Sequence, residues 1–170
     1  EAALTGAGQF IVQGGGSVTV GVNNQFLKGT YLKDGELRMG VQNGNVLGTS
    51  LLTEGGTLYT CFDNSSDSYV SVSTPMTMAE GTALDAYLSR YAYWMSSLSG
   101  NGTLNIYAGG ERSYLGNEKG AKYPDWNGFS GTVNVYPYKE VVSTAGFYGV
   151  ILGHGGKTFN PAEIEESLSS

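Results

Sequence analysis

Two stretches decide how this chain folds: Gly102-Thr103-Leu104-Asn105-Ile106 and Gly131-Thr132-Val133-Asn134-Val135. They match position for position, a glycine and a threonine followed by apolar, asparagine, apolar. Glycine admits positive φ without steric cost, and apolar–polar alternation at period two marks a strand with one buried face. Each copy therefore reads as a turn opening a half-buried strand. Looser copies occur at Gly16-Ser-Val-Thr-Val20, Gly35-Glu-Leu-Arg-Met39 and Gly56-Thr-Leu-Tyr-Thr60.

Outward from these stretches, glycines at Gly16, Gly35, Gly56, Gly81, Gly102, Gly131 and Gly149 recur at gaps of 19, 21, 25, 21, 29 and 18 residues. An irregular period in the low twenties is the mark of a solenoid coil. Shorter strand-like runs lie between, at Phe26-Leu27, Tyr31-Leu32, Val46-Leu47, Leu51-Leu52 and Val70-Ser-Val72. Asn23-Asn24, Asp34-Gly35, Asn43-Gly44-Asn45 and Asn64-Ser65-Ser66-Asp67 supply turns between them, because these residues tolerate left-handed backbone. One coil cannot bury its inward side chains alone, but parallel stacking joins them into a continuous apolar column. An antiparallel sandwich also uses short strands and glycine-rich turns, yet its turns recur every 8–12 residues or so without a longer repeat. The pattern predicts an all-β chain, a single-stranded parallel β-helix over residues 1–159. About six coils are expected, with Val18, Leu37, Leu58, Leu104 and Val133 stacked as equivalents.

Two segments depart from this rhythm. Between Ala83 and Tyr93, Leu84, Tyr87, Leu88 and Tyr91 fit helical spacing, but the tyrosines and Trp94 suit a strand equally, and Gly81-Thr82 repeats a coil opening; strand is expected. At the end, Asn160-Pro161-Ala162-Glu163 offers an N-cap, a proline at the first helical position and a glutamate at the third, with Ile164 and Leu168 four apart. Residues 160–170 are predicted to form a short C-terminal helix, a cap or the start of a linker.

Composition bounds the chemistry. The 170 residues suffice for one domain with a core, and few charges (14%) beside 27 glycines suit a turn-rich β protein. The formal net charge is −6 and no Lys/Arg cluster exists, which argues against nucleic acid and anionic membrane surfaces. No run of about 18 apolar residues is present to insert in a membrane, and Glu1 to Phe10 lacks a signal peptide's basic start and apolar core. The start at Glu1 rather than Met suggests a trimmed product or a piece of something larger. With Cys61 alone, neither an internal disulfide nor a cysteine metal cluster can form within the chain.

Leu98-Ser99-Gly100-Asn101-Gly102-Thr103-Leu104, Arg112 and Asp125-Trp126-x-x-Phe129-x-Gly131, with Glu80-Gly81-Thr82 ahead of them, resemble a known kind of domain. The resemblance is to right-handed parallel β-helices of secreted bacterial proteins with autotransporter-associated β-strand repeats, of the Bacteroidetes type. It spans roughly residues 14 to 135. The chain departs from that pattern at Asn117 to Tyr123 and in its terminal segment. The resemblance implies a right-handed β-helix that is an extracellular or cell-surface scaffold, with Gly102, Arg112, Trp126, Phe129 and Gly131 as its structural motif, and implies no catalytic residues.

Little else points to catalysis. His154, the single histidine, sits in the turn Gly153-His154-Gly155-Gly156, where an exposed side chain is expected rather than a base. Cys61, between Thr60 and Phe62, is expected to pack as a small core residue. The carboxylates are scattered singly, without the opposed pair that glycoside hydrolysis needs. Asp63 and Asp67 could share one turn as a weak calcium site, with a solvated turn as the commoner outcome; no cofactor is expected. Tyr91, Tyr93, Trp94, Tyr123 and Trp126 are candidates for stacking on sugar rings. For Trp126 and Phe129 the structural reading is that they fill a coil end while Arg112 satisfies turn carbonyls or stacks on an aromatic. The expected function is a non-catalytic extracellular segment, a stalk, passenger or adhesin-like scaffold; the competing one is a carbohydrate-active or carbohydrate-binding β-helix. Partners would be a cell-surface or extracellular polysaccharide or protein. The small, apolar and nearly uncharged N-terminal edge, Glu1 to Val12, is expected to pack on another coil, chain or copy.

Overall fold

The computed structural model describes residues 4–21, 25–26, 28–40, 46–60, 70–88, 92–108, 113–115, 124–137 and 150–152. Every strand pairing in it is parallel, and among the described residues there is no helix. The chain winds as a β-solenoid with up to three short strands per coil. The first coil holds β1 (Thr5–Gly6), β2 (Phe10–Val12) and β3 (Ser17–Val20); the second holds β4 (Gln25–Phe26), β5 (Thr30–Leu32) and β6 (Glu36–Met39). In the third, β7 (Leu51–Thr53) and β8 (Thr57–Tyr59) follow a turn at residues 46–49. The fourth comprises β9 (Val70–Val72), β10 (Met76–Met78) and β11 (Ala83–Leu88), and the fifth β12 (Ala92–Trp94), β13 (Leu98–Gly100) and β14 (Thr103–Ala108). Strands β15 (Ser113–Leu115), β16 (Gly128–Phe129) and β17 (Thr132–Pro137) form the sixth, and β18 (Val150–Leu152) begins another.

Stacking these coils makes three faces. The first carries the pair β1–β4 and the four-stranded sheet β18-β15-β12-β9. The second is the six-stranded sheet β16-β13-β10-β7-β5-β2, and the third the six-stranded sheet β17-β14-β11-β8-β6-β3. Hydrogen bonds continue past the strand ends: Glu36, Thr57 and Thr132 each donate their N–H to the carbonyl of a glycine one coil back, Gly16, Gly35 and Gly102. Glycine is required at these corners for two reasons. Gly35 has φ 85°, and a Cβ there would overlap the Gly16 carbonyl oxygen. Gly131 has no unusual φ, but a Cβ would collide with the Gly102 carbonyl.

Alternation puts one column of each strand inside. Leu37, Leu58, Ala86 and Ile106 are in register and fully buried, and so are Leu84 and Leu104 in the next column. Trp94, the largest fully buried side chain, stands in the column Val72–Trp94–Leu115 of the first face. Buried hydroxyls find partners in the neighbouring coils: Thr30 Oγ1 donates forward to the Leu47 carbonyl at 2.7 Å, and Ser96 Oγ back to that of Val72 at 3.2 Å.

Several expectations change in detail. Leu104 and Val133 do not continue the column of Leu58; that column runs through Ala86 and Ile106 to Val135, while Leu104 lies between Leu84 and Val133. The cause is that β11 starts two residues ahead of β8 in register, Asp85 facing Thr57. Because the shift is even, inward residues stay inward. Thr82, not Gly81, is the counterpart of Gly102, and Gly81 belongs to the turn before the strand. Val46-Leu47 is a buried turn rather than a strand. The strand after Gly149 is β18, which pairs with β15 on the first face instead of opening the third. Ala83–Leu88 is strand, as expected. The C-terminal segment 160–170 lies outside the described residues.

Candidate functional site

The third face is the longest regular surface of the molecule, and its outward side chains fall into columns fixed by the same register. One column runs Ser17, Glu36, Thr57, Asp85, Asn105, Asn134; two residues further along each strand, the next runs Thr19, Arg38, Tyr59, Tyr87, Tyr107, Tyr136. The first is a polar column, hydrogen-bonded from Ser17 to Glu36 and from Asn134 through Asn105 to Asp85, and the second becomes an aromatic ladder from Tyr59 onwards.

In the aromatic ladder, successive tyrosine rings stack face to face. Centroid separations are 4.8 Å for Tyr59–Tyr87, 4.4 Å for Tyr87–Tyr107 and 5.2 Å for Tyr107–Tyr136, with interplanar angles of 18°, 7° and 24°. These distances are close to the spacing of neighbouring strands, so the sheet itself sets the stack. The guanidinium of Arg38 sits over the Tyr59 ring at 4.6 Å and closes one end. Arg38 is held there by Glu36, with Nη2 at 2.6 Å and Nε at 3.1 Å from the same Oε2. This charge-assisted contact, helped by the Ser17 hydroxyl, draws the Glu36 carboxyl below its usual range against an opposing effect of burial. At the other end, Tyr136 is 42% exposed.

The polar ladder has a direction. Asn105 Nδ2 donates to Asp85 Oδ1 at 2.8 Å, and Asn134 Nδ2 donates to Asn105 Oδ1 at 3.0 Å. Among the described residues, the sole ion pair is that of Glu36 with Arg38, so the Asp85 carboxylate has no cation beside it. Burial, then the charge of Asp85, then Tyr136 raise the Tyr107 phenol above the ordinary tyrosine range.

Of the residues expected to stack on sugars, Tyr93, Trp94 and Trp126 are described, and these three do not form a platform. Trp94 is fully buried and Tyr93 nearly so, because β12 is covered on both faces; neither offers a ring to solvent. Trp126 is half-buried against the core with Phe129, and its Nε1 donates to the Ser96 carbonyl at 3.1 Å. Gly102 and Gly131 stack at successive corners of the third face. Tyr91, Tyr123, Arg112, Asp63, Asp67, Cys61 and His154 lie outside the described residues. Among the described residues no three His, Cys, Asp or Glu side chains group as a metal site, and no helix is long and apolar enough to cross a membrane.

The tyrosine ladder was missed from sequence although its signal was present. The paired stretches match beyond Ile106 and Val135, to Tyr107 and Tyr136, and Thr82-Ala-Leu-Asp-Ala-Tyr87 follows the same plan. The fold and this face define a parallel β-solenoid with an outward aromatic ladder. No family model, curated protein or solved structure matches the chain.

Proposed function

We infer that this chain is a non-catalytic β-solenoid segment, a stalk, passenger or adhesin-like scaffold of a larger secreted or surface bacterial protein. The observation that supports this reading is the axial engagement of the third face. Its polar and aromatic side chains contact their counterparts in the neighbouring coils, Asn134 to Asn105 to Asp85 and Tyr136 to Tyr107 to Tyr87 to Tyr59, rather than converging on one point. Such ladders stiffen a rod along its axis, which is what a spacer requires. Assaying the purified chain against acidic and neutral polysaccharides, with and without calcium, tests the reading; turnover abolished by replacing a single carboxylate would overturn it.

At the N-terminal end, β2 and β3 are the terminal strands of their sheets among the described residues. The scaffold reading places another coil, chain or copy against that edge. Sedimentation of the chain beside a Phe10→Lys, Val12→Lys variant tests this. Self-association or solubility should differ between the two, and identical monomeric behaviour at high concentration would exclude it.

A further inference from the structure

The tyrosine ladder stands beside a lower shelf, and the two together have the chemistry of a binding site. Tyr87, Tyr107 and Tyr136 are long side chains; Asp85, Asn105 and Asn134, two residues before them on the same strands, are short. The result is a wall of rings running along the solenoid axis above a floor of amides and one carboxylate.

What the wall offers is set by the stacking. Each inner ring has both faces covered by its neighbours at 4.4–5.2 Å, so a sugar, which packs on an aromatic face, finds none open along the wall. The exposed parts are ring edges, which carry the positive end of the aromatic quadrupole. Positive edges repeated at the strand spacing favour the negative π-face of an electron-rich ring in a planar ligand, held edge to face by several tyrosines at once, with any positive charge carried beside that ring rather than on it. The floor adds a charge preference. Asp85 accepts from Asn105 but faces no cation among the described residues, whereas Glu36 further down is neutralised by Arg38.

The geometry points to this shelf as a binding site for an elongated, planar, cationic aromatic molecule lying parallel to the solenoid axis. The site needs neither catalysis nor its absence and is independent of the scaffold reading.

Thioflavin T, a planar benzothiazole cation, is the probe. Titrated into the full chain at low salt, it should bind with a rise in fluorescence. Tyr107→Leu should weaken binding about fivefold, the scale of one edge-to-face contact. Tyr107→Phe keeps the ring edges and should bind like the parent. Asp85→Asn should weaken binding about fivefold at low salt and remove most of its salt dependence. If Tyr107→Leu does not fold by its melting curve, Tyr136→Leu at the open end of the ladder replaces it, with the same expectation. The proposal fails if the parent does not bind the dye, if the leucine and asparagine variants bind as the parent does, or if Tyr107→Phe is as weak as the leucine variant. It also fails if a neutral 1,4-linked glucose oligomer displaces the dye with the same residue dependence.

Discussion

The rings of Tyr87 and Tyr107 lie 4.4 Å apart at 7° because their backbones are in-register partners in adjacent coils. Neither residue has to search for the other: the parallel sheet delivers one above the next, and stacking then restricts both side chains. Removing Tyr107 breaks two ring contacts, removing Tyr136 only one. At about 0.5–1.5 kcal/mol per aromatic pair, Tyr107→Ala should destabilise the fold by roughly twice as much as Tyr136→Ala. Denaturant unfolding of the two variants measures the ratio, and equal losses would mean that the rings act independently.

Leu104 lies wholly inside, between Leu84 and Val133. Leu104→Asp should unfold the chain, since an unpaired buried carboxylate costs several kcal/mol against a typical total stability of about 5–15 kcal/mol. Val133 is only half-buried, so Val133→Asp should lower the melting temperature while leaving a folded protein. Circular dichroism melts distinguish the two outcomes.

Glycine substitutions separate space from conformation. Gly35 and Gly81 both have positive φ, 85° and 71°, but a Cβ at Gly81 meets nothing within 4 Å, whereas at Gly35 it overlaps the Gly16 carbonyl. Gly81→Ala should therefore cost about 1 kcal/mol from backbone strain alone. Gly35→Ala should cost clearly more and loosen the first two coils, and hydrogen exchange at Glu36 and Arg38 would report that loosening.

Trp94 is buried with its Nε1–H unpaired among the described residues. Trp94→Phe removes that unsatisfied donor while keeping most of the apolar volume, so it should cost far less than the 3–5 kcal/mol or so typical of Trp→Ala. Comparing the two variants by denaturant unfolding tests this, and a phenylalanine variant as unstable as the alanine one would refute it.

Two groups make stability depend on pH in opposite ways. Tyr107 has a raised pKa, so its contribution is complete below the ordinary tyrosine range and disappears as pH climbs through the raised value. Glu36 has a lowered pKa, so its contribution is present above the ordinary carboxylate range and disappears as pH falls through the lowered value. Tyrosinate absorbance should show late titration of both Tyr107 and Tyr31, the latter raised by its hydrogen bond to Glu54; only the Tyr107 part moves earlier in Asp85→Asn, because the Asp85 charge is among the causes of the Tyr107 shift.

The coil repeat was legible because glycine is the one residue that fits the corners. Gly16, Gly35 and Gly56 open consecutive third-face strands, and the Gly102 and Gly131 stretches pair residue for residue. The shift at β11 was not legible, because Gly81 looks like a corner glycine but lies one residue before the position that faces Gly102, its amide donating to the Asn101 carbonyl of the next coil; only pairing partners reveal which residue faces which. Burial of Tyr93 was equally hidden. A strand covered on both faces has no alternation to read, and an aromatic run then looks like a surface platform.

Asp85 can only accept hydrogen bonds while ionised, and that fixes more than its own contact. Asn105 must turn its nitrogen towards Asp85, which leaves its oxygen pointing to the next coil, where Asn134 must in turn present nitrogen. Each amide thus inherits its orientation from the one before, and the dipoles align in single file. The charge of one aspartate is in this way legible two coils away, about 10 Å along the axis, in which end of Asn134 faces the solvent.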